Sequence, residues 1–169
     1  LLALSLPAQT ADARKAWAAV SANLIAAAGK MPAASYAFRP TPSVRTFGEL
    51  MSHVARANFM FCAPLLPQAK PAAGLDKLAA KAELLAALKD STDFCTSAAD
   101  RVADNDQTPV QFFGRDIAKL TLLWSNIAHA NEHYGNAVTY LRLKGLVPPS
   151  SEGGRARLYY DQFHGQMGP

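Results

Sequence analysis

The sequence predicts an all-α fold, a bundle of four helices, from three observations. Apolar residues recur at steps of three and four through four long stretches. Capping signals bracket these stretches, and the prolines fall between them, where a missing amide donor does least harm. A chain of 169 residues that is 50% apolar is the right size to close one core and forms a single domain.

Residues 1–10, beginning Leu-Leu-Ala-Leu-Ser-Leu-Pro-Ala, read as the end of a secretory apolar region running into small residues, or as an N-terminal arm. Export to the periplasm or the extracellular space is the expectation, with the cytoplasm as the alternative. Residues 11–149 are assigned to the bundle and 150–169 to a C-terminal tail. Helix one runs from Thr10, taken as its N-cap, through Trp17, Val20, Leu24 and Ala28 to Gly29. Met31 to Ser43 carries Pro32, Pro40 and Pro42 and reads as a fixed, extended connection.

Thr46-Phe-Gly-Glu49 is a capping box, in which the hydroxyl and the carboxylate each satisfy an amide at the helix start. Helix two begins there, with Phe47, Leu50, Val54, Ala57 and Phe61 as its apolar stripe and His53 on the flank beside Met60. Ala63 to Gly74 is Pro-rich and lacks a hairpin signature. Extended at ~3.1 Å per residue, it reaches ~35 Å, enough to return along a bundle and leave helices two and three parallel. Helix three is assigned to Leu75–Val102 on a seam of Leu78, Leu85, Leu88, Thr92, Cys95, Ala99 and Val102. In that parallel arrangement Cys62 and Cys95 come to similar heights, and an exported chain would oxidise the pair. Asp104 to Arg115 reads as a loop. Helix four follows from Ile117 to Lys144 and is stopped by Gly145 ahead of Pro148-Pro149.

Within helix four, His129-Ala-Asn-Glu132-His133-Tyr134 places two imidazoles one turn apart on one face, as a transition metal requires. They lie between a solvent strip of Thr121, Ser125, Ala128, Glu132 and Thr139 and an apolar stripe of Leu120, Ile127, Tyr134, Val138 and Leu141. His53 is the candidate third ligand, since the remaining histidine, His164, lies in the Gly-rich tail. The spacing alone is also met by coincidental histidine pairs. The letters match an inverted zinc-protease motif as well, but Glu132 falls on the solvent strip and only Glu152 and Asp161 follow as carboxylate ligands. No serine sits in a nucleophile elbow. The net charge of +4 is spread over arginines dispersed from Arg39 to Arg157, which argues against nucleic-acid binding.

Tyr36-Ala-Phe-Arg-Pro-Thr-Pro leading into Arg45-Thr-Phe-Gly-Glu-Leu-Met-Ser-His53 forms a pattern with Ala128-His-Ala-Asn-Glu-His-Tyr-Gly-Asn and Tyr140-Leu-Arg-Leu-Lys-Gly-Leu-Val-Pro-Pro-Ser. Together they resemble the DinB/YfiT-like family over most of the chain, from about Ala11 to Ser151. The resemblance implies an up-down-down-up four-helix bundle with a long crossover between helices two and three. It also implies a three-histidine divalent-metal site on His53, His129 and His133. Family members with an assigned activity are metal-dependent transferases that join low-molecular-weight thiols to electrophiles. The expected function is therefore a metal-dependent transferase, thiol-type, or a hydrolase acting on a small molecule. The alternative is a non-catalytic secreted bundle that holds a metal or ligand, or pairs with a second copy of itself as a homodimer. Zinc, nickel, iron or a similar ion fits imidazole ligands. No membrane partner is expected for the mature chain. Asn126, Glu132 and Tyr134 are weaker candidates for orienting a ligand or moving a proton.

Overall fold

The computed structural model describes residues 9–67, 73–104 and 106–152. The leader-like residues 1–8 and the tail beyond 152, with His164 and Asp161, lie outside the described residues. Among the described residues, four α-helices and a small two-stranded sheet make up the mostly helical fold: α1 (Gln9–Lys30), α2 (Phe47–Cys62), α3 (Lys81–Ala99), β1 (Pro109–Phe112), β2 (Arg115–Ala118) and α4 (Lys119–Leu143). Among the described residues, no helix is long and apolar enough to cross a membrane.

In α1, Ala13, Trp17, Val20, Leu24 and Ala28 face the core at helical steps. Thr10 is not its N-cap but lies in the first turn. Its amide, one of the donors a helix start leaves unpaired, goes 2.9 Å to the Asp104 carboxylate beyond α3. At the other end Lys81 Nζ donates to the carbonyls of Gly29 and Met31, at 2.6 and 2.8 Å. These contacts, with Trp17 Nε1 on Thr96 Oγ1 at 3.1 Å, set α1 and α3 in opposite directions.

The segment from Met31 to Thr46 prepares the start of α2. Tyr36 and Phe38 offer their carbonyls to the amides of Gly48 and Phe47, at 2.8 and 2.9 Å, and the capping box closes around Thr46 and Glu49 as the sequence predicts. A Cβ at position 48 would lie 3.3 Å from both the Tyr36 carbonyl oxygen and Leu84 Cδ1, so glycine permits this close approach.

Helix α3 begins at Lys81, not at Leu75. Gly74 takes a left-handed turn, Leu75–Lys77 forms a single 3-10 turn, and Leu78 and Ala80 are extended. The buried seam accordingly runs Leu84, Leu88, Thr92, Cys95, Ala99 and Val102, with Leu84 in place of Leu85. Contacts between α2 and α3 advance together: Gly48 lies beside Leu84, Asn58 Nδ2 bonds to Ser91 Oγ at 3.1 Å, and Cys62 meets Cys95. At these three contacts the two helices run in the same direction, an arrangement that the length of their connection permits. The cysteine sulfurs stand at bonding distance, with Cα atoms 5.3 Å apart.

The expected loop 104–115 instead contains part of an antiparallel hairpin, pairing Val110 with Ile117 and Phe112 with Arg115. Phe113 and Gly114 turn it, both with positive φ (49° and 73°), the geometry that matches strand twist. Ile117 and Ala118 belong to β2, so α4 starts two residues later than the periodicity suggests. Its end follows the sequence reading. Gly145 adopts φ 71°, and the amides of Gly145 and Leu146 return to the carbonyls of Arg142 and Leu141 in a Schellman motif.

Candidate metal centre

The approach of α2 and α4 positions the histidines. Tyr140 donates its hydroxyl to the Arg45 carbonyl just ahead of α2, and at the far end Asn126 Nδ2 lies 3.5 and 3.6 Å from the two cysteine sulfurs. The helices are thus tied antiparallel, and His53 is brought level with His129 and His133. The three Nε2 atoms form a nearly equilateral triangle. His53 is 3.2 Å from His129 and 3.0 Å from His133, while His129 and His133 are 3.1 Å apart.

Each Nε2 carries either a proton or a lone pair. In any triangle built from two kinds of corner, at least two corners match, so hydrogen bonding alone leaves one pair of donors or of lone pairs facing each other at van der Waals range or closer. A cation shared by three lone pairs removes that conflict, and these residues could hold one. His53, His129 and His133 would hold such an ion through their Nε2 atoms, and it would supply Lewis acidity there.

Electrostatics favour the neutral ligands. Burial pushes the His53 imidazolium down to about 4, helped by the charges of Arg45, His133, His129 and Arg56. Burial and the neighbouring His133 also lower His129, while Glu132 opposes the shift. His133 is lowered by burial, again against Glu132. Protons would therefore compete little with a cation for these imidazoles at neutral pH.

A cleft of about 930 Å³ opens onto His53 and His133, bordered by Arg45, Arg56, Asn136 and Tyr140. His129 faces the other way, its ring 5.5 Å from Phe61, which stacks on Phe112 of β1 at 5.0 Å. The hairpin thus backs an aromatic wall behind one imidazole.

Among the described residues, Asn126, Glu132 and Tyr134 make no hydrogen bond to the three histidine rings. Asn126 is buried against the cysteine pair, Tyr134 bonds to Ser150, and Glu132 is exposed and acts only through its charge. Glu152 pairs with Lys30, which removes it as a protease-like ligand. The contact the sequence reading missed is Asn136, whose side-chain amide lies 3.2 Å from His133 Nδ1. It stands three residues after a histidine already singled out, so i,i+3 spacing was the available signal. In this orientation Asn136 Nδ2 donates to Nδ1 and leaves the ring proton on Nε2, whereas the flipped amide, with its oxygen accepting from Nδ1–H, is the one that would free Nε2 for a metal.

No curated protein matches the sequence. Among solved structures, the chain is similar to the crystal structure of a DinB-like protein from Bacillus cereus ATCC 10987, with a TM-score of 0.66 and 18% identity. That match covers 80% of this chain and 92% of the other, and it establishes a shared fold. The model of the DinB family matches residues 9–159, nearly the whole length, and the chain belongs to the DinB family.

Proposed function

We propose that His53, His129 and His133 bind one divalent metal ion within an up-down-down-up four-helix bundle, and that the protein is a metal-dependent transferase, thiol-type, or a hydrolase. The observation that carries this reading is the convergence of three Nε2 atoms within 3.0–3.2 Å beside an open cleft. Structural zinc sites are usually closed by four protein ligands, whereas three leave room for a reactant. When bound, a divalent ion supplies Lewis acidity and makes a water or thiol a better nucleophile at neutral pH. The protein's own part is to keep the imidazoles neutral, to orient His133 through Asn136, and to shield His129 behind Phe61 and Phe112. Imidazole donors suit zinc, nickel or iron, and availability decides among them. The cysteine pair supports a site of action outside the reducing cytosol.

One observation favours the competing reading, a secreted binding module without turnover. Among the described residues, no carboxylate or hydroxyl hydrogen-bonds to the three rings, so no acid or base is in place beside them. Metal analysis of protein purified without a chelator or a polyhistidine tag tests the site. Wild type and His164→Ala should carry one ion per chain, while His53→Ala and His133→Ala should remain helical and lose it. Unchanged metal content in those two variants would sink the assignment. Metal-dependent consumption of an activated aryl halide with an added low-molecular-weight thiol separates transferase from binding module.

A further inference from the structure

We infer that the cleft takes a substrate bearing a carboxylate or phosphate, which Arg45 and Arg56 hold while the rest of the molecule faces the histidines. The inference deepens the proposed function and rests on it for the substrate's orientation, though not for the anion subsite itself.

Placement is the first argument. Arg56 follows His53 by three residues on α2 and so projects from the same face one turn away. Arg45 sits just before the Thr46 cap of that helix, its carbonyl anchored by Tyr140. Both border the cleft that exposes His53 and His133. The Arg45 charge reaches all three histidines, and that of Arg56 reaches His53.

Compensation is the second. Both side chains are exposed, and among the described residues neither guanidinium has an ion-pair or hydrogen-bond partner. Two carboxylates also border the cleft. Glu49 accepts from the Thr46 amide at 2.6 Å as part of the helix cap, and its charge is felt by Arg39 and Arg45 without an ion pair to either. Asp76 lies in the short turn Leu75–Lys77 on another segment, and it pairs with neither arginine. The histidines carry no negative charge in either protonation state, and a bound divalent ion would make the cleft more positive still. A concave site with unpaired guanidiniums concentrates anions, and Arg binds carboxylate and phosphate in a two-pronged geometry. The volume of about 930 Å³ is in the range of small-molecule sites. Asn136 and Thr139, three residues apart on α4, border the same cleft and offer further donors.

The test is calorimetric titration of inorganic phosphate, and separately of acetate, into protein stripped of metal and dialysed free of chelator. Stripping removes direct coordination of the probe by a metal. One of the two anions should bind, and the tighter one identifies the chemical class. Replacing both arginines (Arg45→Ala with Arg56→Ala) should weaken it by about ten-fold or more. The double lysine variant should retain part of the affinity, and Arg101→Ala should match wild type. Equal affinity in wild type and the double alanine variant would overturn the inference, as would no binding of either anion below ~10 mM. Metal content measured on the same preparations before stripping keeps the two readings apart. Arginine-dependent anion binding by a protein that never carried metal would uphold this subsite and defeat the metal site; full metal content with arginine-independent anion binding would do the reverse.

Discussion

Reducing the bond between Cys62 and Cys95 should destabilise the protein by an amount that can be worked out in advance. The two residues are separated by 33 positions, and closing a loop of that length in the unfolded chain contributes about 4 kcal/mol in the chain-entropy model. Part of this is recovered on reduction. The Cys95 sulfur lies 3.1 Å from the backbone carbonyl of Asn58, to which a new thiol there can donate. One such weak bond returns about 1 kcal/mol. The net loss is then about 3 kcal/mol, which for a domain of this size lowers the melting temperature by roughly 6–12 °C. Thermal unfolding followed by circular dichroism, with and without reductant, measures it. Metal content below the transition should not change, because Cys62 lies nine residues beyond His53 on α2, ~13 Å along the helix. Coincident melting curves would show that the bond does not constrain the chain. Loss of metal from folded, reduced protein would show that the cysteines position the histidines.

Acid should weaken the metal-free protein before carboxylate titration begins. The folded pKa of His53 is depressed to about 4 from an ordinary 6.5, so between these values the unfolded chain binds more protons, and stability present above pH 6.5 is lost as pH falls toward 4. Melting temperatures of stripped wild type and His53→Asn between pH 7 and 4.5 should diverge in slope, and parallel profiles would contradict the burial argument. At the junction of α1 and α3, Lys81→Met keeps the aliphatic stem but removes the donors to Gly29 and Met31, and should cost about 1–2 kcal/mol in urea unfolding. No measurable loss would mean that solvent satisfies those carbonyls equally well.

Much of the fold was legible because its signals are local. The Thr46–Glu49 box and the Gly145 stop each depend on residues within five positions of one another, and both form as read. The misreadings occur where tertiary partners replace local ones. Thr10 resembles an N-cap, yet Asp104, 94 residues away, satisfies its amide, and so the helix extends beyond it. Leu75 and Leu78 fit the periodicity of α3, but Ser52 Oγ donates to the Leu75 carbonyl at 2.7 Å and the segment packs beside α2 as an irregular turn. The hairpin turn is Phe113-Gly114 rather than Asn-Gly or Asp-Gly. A phenylalanine at φ 49°, with 77% of its surface exposed, gives no sequence cue for the left-handed region.

The site divides along the same line. His129 and His133 were readable because both lie on one helix face, where sequence spacing is spatial spacing. His53 could be nominated from helical position, but the 3.0 Å approach of its Nε2 to that of His133 depends on the antiparallel contact of α2 and α4, an arrangement no local spacing encodes. Arg45 and Arg56 looked like two of many dispersed cations. Composition counts them equally with Arg14, which meets Asp100, yet in the fold they border the histidine cleft without a partner among the described residues. What distinguishes them is that neither forms an ion pair or a hydrogen bond among the described residues. A net charge of +4 therefore says little about which anions this protein binds, whereas two unpaired guanidiniums beside neutral imidazoles define one surface on which an anion would be held.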